Sequence, residues 1–417
     1  MKLIRFTATA ALSCLLAGTA LAQTTVNVLS LPRSNESETA YFEGMAKAFE
    51  ASHPGVDVNF TYLDDEALKS RLPTLLQSDQ RPEIFYSWGG GVFQEQAKAG
   101  VLEPLGPKAS EECLATHPKS LEQAFTYDGT LYGLPLYAAD VVIWYNKDLA
   151  KQAGIDPESI KTWDQFLAAV EKAKAAGVTP IVVGGKDKWP LQTIYSLLLL
   201  REAGGEALQE AADSGDYSNP AFLEAAKQFV QLVNEQPFQP GFMDATYDKA
   251  SGLFGDGKGL FHIMGNFDYV SQSASSTTGK GLSDDQLGLI AFPAVEGGAG
   301  DPAETLGGND GFVLAKGAGQ DAADFLCFML NVENQREGAA AGYWIPAAIG
   351  ASDALKNPFF VEVAKQIENS PRHQLYLDQA LGTSVGSSLN DIAADLATGV
   401  ITPEDVPDRI AEAQMFQ

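Results

Sequence analysis

The sequence predicts an α/β protein built as two lobes, each a mainly parallel sheet flanked by helices. Three observations carry this. The chain has 417 residues, 45% of them apolar and 20% charged, which is ordinary globular composition and enough length for two or three domains. Strand and helix patterns alternate as β-α-β-α-β from Val26 to Tyr86, the order of a parallel sheet with helical crossovers. A second strand-and-helix unit begins at Val141.

Each element has its own reason. Val26 and Val28 with the neighbouring leucines read as a first strand, followed by the polar loop Ser30 to Ser37. Tyr41, Phe42, Met45 and Phe49 then share one helical stripe, which Pro54-Gly55 ends. Val56, Val58 and Phe60 alternate as a second strand. Leu68, Leu72, Leu75 and Leu76 mark a second helix bent by Pro73, and Ile84-Phe85-Tyr86 is a short buried third strand. Tyr127-Asp128-Gly129-Thr130 is a hairpin turn. In the second unit, Val141 to Tyr145 is a strand, Thr162 with Gln165 forms a capping box, and Gly177 stops the helix between them. Ile181-Val182-Val183 reads as another buried strand, and a further helix follows Asn219-Pro220. Leu289 to Phe292 is a strand in the return between lobes; near the carboxyl end Thr402 caps a helix with Pro403 at its first position.

The first residues read as an address. Lys2 and Arg5 precede an apolar run from Ala8 to Ala17, and Ala20-Leu21-Ala22 is an A-x-A cleavage site. A secretory signal peptide over residues 1–22, cleaved after Ala22, is expected, since the run is too short to span a bilayer. Ala11-Leu12-Ser13 before Cys14 fits a lipobox poorly. Lysine and arginine total 28 against 54 aspartates and glutamates, a formal charge of −26. A surface this acidic argues against binding nucleic acid or anionic lipid. Once the leader is gone, Cys113 and Cys327 remain. They could pair in an oxidising compartment. Cys327 equally suits a buried inert thiol, because it sits in the apolar run Phe325 to Leu330.

Catalytic chemistry finds little support. The histidines His53, His117, His262 and His373 are scattered, with no metal-binding spacing. There is no nucleophile elbow, P-loop or dinucleotide fingerprint. Asp213 to Glu224 has the ends of a calcium loop but fails at its ligand positions. No cofactor, metal or catalytic residue is expected. Carboxylate pairs suited to glycoside hydrolysis exist among so many acids, but no spacing selects one.

The loops are more informative. In open parallel sheets, ligands sit beyond the carboxyl ends of the strands at the switch in strand order. The loop after the first strand carries Arg33, Ser34, Asn35 and Glu36; the loop after the third carries Ser87, Trp88 and Gly89-Gly90-Gly91, where a ligand could approach the backbone closely. Trp144 and Trp163 read as structural, whereas Trp88, Trp189 and Trp344 lie near Gly, Pro or polar residues. A sugar needs this mixture: an aromatic face for its C–H surface, and carboxylates or amides for its hydroxyls.

Ordered motifs then carry a family resemblance. They are Arg81-Pro82-Glu83-Ile84 before Ser87-Trp88-Gly89-Gly90, Ala99-Gly100-Val101-Leu102-Glu103-Pro104-Leu105, Tyr132-Gly133-Leu134-Pro135, and Tyr145-Asn146-Lys147-Asp148-Leu149. Thr162 to Phe166, Phe254 to Lys258, Met264-Gly265-Asn266-Phe267 and Gly307-Gly308-Asn309-Asp310-Gly311 follow. In this order the chain resembles the extracellular solute-binding proteins of bacterial carbohydrate ABC importers, the group that includes maltose-binding protein. Leu375 to Gln379, Leu389-Asn390-Asp391 and Thr402-Pro403-Glu404 resemble the oligosaccharide (raffinose-type) branch. The resemblance implies a type II periplasmic-binding-protein fold with crossovers near Tyr137–Asp140, Gly288–Pro293 and Arg336–Trp344. It implies an N-terminal lobe of residues 23–138 plus 292–335 and a C-terminal lobe of 139–291 plus 336–417. It places contacts at Asn35, Glu36, Ser87, Trp88, Asp140, Trp189, Asn266, Phe267, Asn309, Asp310, Trp344, Tyr376 and Asp378. Many members carry Trp where this chain has Phe267, and the Asp378 position rests on the oligosaccharide branch alone. The implied protein is a periplasmic monomer that closes on a sugar and docks on ABC permease subunits. A secreted glycoside hydrolase or lyase is the alternative, and a surface lectin the third reading.

Overall fold

The computed structural model describes residues 24–33 and 35–416. The expected leader, its cleavage site and Cys14 lie outside them. Among the described residues no helix is long and apolar enough to cross a membrane.

The first half is a five-stranded sheet. Strand Thr24–Ser30 sits between Val56–Tyr62 and Ile84–Ser87, parallel to both. Gly311–Leu314 then joins Ile84–Ser87 antiparallel, and Gly133–Pro135 closes the edge. The first strand is thus internal and neighbours the third, so the loops after the first and third strands lie side by side at the switch point. Helix Glu36–Ser52 buries Phe42, Met45 and Phe49 against this sheet, matching the expected stripe. Helix Asp65–Leu75 buries Leu68 and Leu72 and contains Pro73. The hairpin turn has both central residues at positive φ, Asp128 at 46° and Gly129 at 71°, the geometry that matches strand twist.

The second half departs from the expected parallel sheet. Its three strands, Leu287–Ile290, Val141–Asn146 and Phe261–Gly265, pair antiparallel. Ile181 to Val183 is buried as expected but forms only isolated parallel bridges, Ile181 to Phe238 and to Phe261. Val141–Asn146 is central and covered on both faces. Val141, Ile143 and Tyr145 face one core, and Val142 and Trp144 the other, the two-residue alternation of a strand. A continuous apolar run cannot reveal strand direction, because burial on both faces gives the same sequence signal either way.

Three crossings join the halves. Leu136 belongs to the first core and Val141 to the second. The return lies between Leu306, in the second core, and Phe312, in the first. This corrects the expected crossover at Gly288–Pro293, a stretch packed wholly within the second half: Leu289, Ile290 and Phe292 are all in its cores. The third crossing falls between Trp344 and Ile345, at the end of the expected Arg336–Trp344 segment. Residues 292–306 therefore pack with the second half, and helix Val332–Ala341 with the first, where the Asn334 carbonyl accepts from Tyr41 Oη at 2.7 Å.

The crossing segments touch backbone to backbone. A Cβ on Gly307 would stand 1.7 Å from the Ala139 carbonyl oxygen. Ala139 N–H donates to Gly308 O at 2.8 Å, and Leu136 N–H to Asp310 O at 2.7 Å. Cys113 and Cys327 are disulfide-bonded, which settles the open alternative, and both belong to the first half. The bridge closes a loop of 214 residues. Such loops lose much unfolded-state entropy on closure. Cys113→Ala/Cys327→Ala is expected to be less stable by about 2–4 kcal/mol, seen as a lower Tm and a lower urea midpoint than in the oxidised protein.

Candidate functional site

The first wall is built at the carboxyl ends of the parallel strands. Strand Ile84–Ser87 ends in Trp88, which is half-buried and meets Tyr86 edge-on, 5.3 Å between centroids. Helix Asp65–Leu75 starts just beyond the second strand and places Lys69 over the Trp88 ring, 5.3 Å from its centroid. Three carboxylates hold that ammonium: Asp65 at 2.8 Å, Glu66 at 3.3 Å and Asp378 at 3.8 Å. Burial pulls the Lys69 pKa down, but Asp65, Asp378 and Glu66 outweigh it and hold it above its ordinary value.

Behind Trp88 lies a buried polar knot. Asp310 Oδ2 accepts from Tyr86 Oη at 2.8 Å and Tyr137 Oη at 2.7 Å, and the two phenols are 2.8 Å apart. Burial raises the Asp310 carboxyl to about 6, opposed by the two phenol donors. Asp310 Oδ1, Asn309 Oδ1 and Tyr376 Oη have no partner among the described residues. Unpartnered buried acceptors are costly, so their concentration here marks a place kept for another molecule or for a change of shape.

The second wall carries its own rings. Trp189 packs on Tyr247 at 5.1 Å, and Tyr247 meets Phe267 at 6.0 Å. Tyr247 Oη donates to Asp268 Oδ1 at 3.1 Å, and Tyr247 N–H to Asp187 Oδ2 at 2.7 Å. Asp268 also accepts from Ser251 and lies 3.5 Å from His262 Nε2. Lys188, just before Trp189, adopts φ +63°, an uncommon conformation for a residue with a Cβ. Burial, Asp187 and Asp64 together raise the Asp248 carboxyl. Asp64 belongs to the first wall, so the walls face one another.

The structure divides the thirteen expected residues. Trp88 and Asp310 stand on the first wall, where Asn309, Tyr376 and Asp378 reach them from the second half; Trp189 and Phe267 stand on the second wall. Others are occupied elsewhere. Asn35 caps helix Glu36–Ser52, its Oδ1 accepting from Glu38 N–H at 2.9 Å, and Glu36 is exposed. Ser87 is buried and accepts from Gly89 N–H at 3.2 Å. Asp140 and Asn266 clasp each other: Asn266 Oδ1 accepts from Asp140 N–H at 2.9 Å, and Asp140 O accepts from Asn266 N–H at 3.0 Å. Trp344 is 4% exposed, wedged among Gly338, Tyr41 and Phe42, so it is a core residue where a loop contact was expected.

The glycine run also has a different reason from the one expected. A Cβ on Gly89 would meet Ala124 O at 2.8 Å, and one on Gly91 would meet Ala380 O and Gly382 N at 2.6 Å. These glycines admit a neighbouring backbone. Beside them Thr383 N–H donates to Glu95 Oε1 at 3.0 Å, joining helix Gly90–Lys98 to helix Gly382–Thr398. Sequence reasoning missed Lys69, Tyr137 and Tyr247. The run Asp64-Asp65-Glu66 after the second strand was a usable signal, since it occupies the same strand-end position as Trp88.

Two cored halves joined by three crossings, with partly exposed rings on each, fit a two-lobed solute-binding protein. The comparisons agree. The chain belongs to the bacterial extracellular solute-binding protein family, matching it over residues 33–336. It is 30% identical over 373 residues to an uncharacterised ABC transporter extracellular-binding protein of Pyrococcus horikoshii, covering 87% of this chain and 81% of that one. It is 26% identical to the multiple sugar-binding protein of Streptococcus mutans over 63% of this chain and 61% of that protein. Among solved structures, a chitin oligosaccharide binding protein matches with a TM-score of 0.86 at 25% identity, covering 94% of this chain and 98% of that one.

Gly91→Ala is expected to destabilise the protein by about 1–3 kcal/mol, because backbone atoms face the new methyl; chemical denaturation measures it. Burial raises the Asp140 carboxyl to about 8, against the Leu306 N–H and Arg201. A carboxyl raised in the folded state takes up a proton on folding. Its stabilising contribution is full below about pH 4, the unfolded value, and is lost as pH climbs through about 8. This group should therefore lower stability progressively from about pH 4 to about pH 8 with no further change above, and Asp140→Asn should flatten that slope in thermal melts.

Proposed function

We propose that the protein is a periplasmic receptor that captures an oligosaccharide between its two walls and delivers it, unaltered, to an ABC importer. The single observation that supports this most is that each half carries partly exposed rings, Trp88 on one and Trp189, Tyr247 and Phe267 on the other. A sugar held between them would have C–H faces on rings and hydroxyls within reach of Asp378, Asp310 and Lys69. It would touch both walls only when the halves close, so ligand favours the closed state. The printed names of the relatives, a multiple sugar-binding protein and a chitin oligosaccharide binding protein, point the same way.

In this reading the lobes are residues 24–138 with 310–344, and 139–309 with 345–416. The protein acts as a monomer, is exported by its leader, and presents the closed form to the permease subunits. No catalytic step is assigned.

Mono-, di- and trisaccharides screened by thermal shift should give at least one that raises Tm and is recovered intact. X-ray scattering should show a smaller radius of gyration with that sugar. Trp88→Ala is expected to abolish the shift and leave the apo Tm nearly unchanged, since the ring is only half-buried. Cleavage of the sugar, or a large apo loss in Trp88→Ala, would overturn the reading.

A further inference from the structure

The charge between the walls is one-sided. On the first wall Asp64 is exposed, Asp65 and Glu66 follow in the first helical turn, and Asp378 approaches them through Lys69. On the second wall Asp187 and exposed Asp248 flank Tyr247. Six carboxylates thus stand on the walls; Lys69 is shared by Asp65, Glu66 and Asp378, and Lys188, beside Trp189, pairs with Asp391 at 2.6 Å. Among the described residues no cation forms an ion pair with Asp64, Asp187 or Asp248. Behind this group sits Asp310, 3% exposed, with an oxygen that no described residue satisfies.

We infer that the cleft selects by rejection: it admits uncharged saccharides and excludes those bearing carboxylate, sulfate or phosphate, with Asp64, Asp187 and Asp248 as the excluding residues. This rests on the sugar-receptor reading and narrows its ligand class. The physics is like-charge repulsion in a space that closure dries. Two such charges a few ångströms apart repel far more strongly there than in open water, and specificity arises as readily from a penalty on the wrong ligand as from contacts to the right one. Neutral hydroxyls meet no such penalty, because a carboxylate accepts hydrogen bonds from them.

Tryptophan quenching tests the charge without knowing the ligand. Trp88 and Trp189 are half-buried, whereas Trp144, Trp163 and Trp344 are at most 4% exposed, so collisional quenching reports on the walls. At low ionic strength iodide should quench less than neutral acrylamide, and N-methylpyridinium more than iodide by about threefold or greater. High salt and the double variant Asp64→Asn/Asp248→Asn should each shrink that ratio. Thermal shifts form the second arm: digalacturonate against galactobiose, and glucose 6-phosphate against glucose, alongside the neutral sugar that the screen identifies and its uronate form. Every acidic member should shift Tm less than its neutral partner, and the double variant should narrow the gap. Equal quenching by iodide and the cation would overturn the inference, as would any acidic sugar that outperforms its neutral partner. If the quenching asymmetry stands but no saccharide of either charge shifts Tm, the receptor reading falls, and the selectivity with it.

Discussion

The closest constraint in the molecule is the meeting of two crossing segments. Gly307 lies so near the Ala139 carbonyl that no side chain fits, and Asp140 Oδ1 accepts from Leu306 N–H at 3.1 Å. Asn266 holds Asp140 from the other side. Everything on the walls is aimed from this point. The strand Val141–Asn146 leaves it into the second half, and Gly311–Leu314 leaves it into the first. Two segments bonded to each other can twist together while their far ends swing, which is how a hinge moves without unpacking either core.

The polar groups follow a division of labour. Near the crossing they are buried and largely paired: Asp140 with Leu306, Arg201 with the Glu304 and Phe292 carbonyls at 3.0 and 3.3 Å, though Arg201 Nε has no partner among the described residues. Towards the gap they are left incomplete, as at Asn309, Asp310 and Tyr376. Saturated groups rigidify a unique arrangement, whereas incomplete ones keep binding capacity in reserve. Trp88 stands at the boundary, fixed at its edge by Tyr86 and covered on its face by Lys69. A ligand that stacks there must move an ammonium held by three carboxylates, so the ring is presented at a cost.

The helices and the first three strands were legible because their signals are local. Stripes such as Phe42, Met45 and Phe49, the capping box at Thr162, and the turn Asp128-Gly129 depend on a few neighbours in sequence. The strand-end rule likewise pointed to the loop at Trp88 before any coordinates. What local signals could not supply was pairing over distance. The antiparallel direction of Phe261–Gly265, the return at Leu306 to Phe312 and the burial of Trp344 against Gly338 each depend on residues far apart in the chain. Amides were misleading for a related reason: Asn35 and Asn266 have the chemistry to hold a sugar, yet backbone N–H groups beside them take their oxygens first. The glycines after Trp88 show the same ambiguity, because a missing side chain signals close approach without saying what approaches.

The covalent bond between Cys113 and Cys327 gives the chain an order of assembly. Both sulfurs belong to one half, but the larger part of the second half, residues 139–309, is spliced between them. The amino-terminal portion of the first half must wait, incomplete, while some two hundred residues emerge and settle, and only then can its missing strand and helices return and the thiols meet. Residues 345–416, which supply helix Gly382–Thr398 to the second core, come after Cys327. A premature partner for Cys113 would trap the chain with its outer half unfinished.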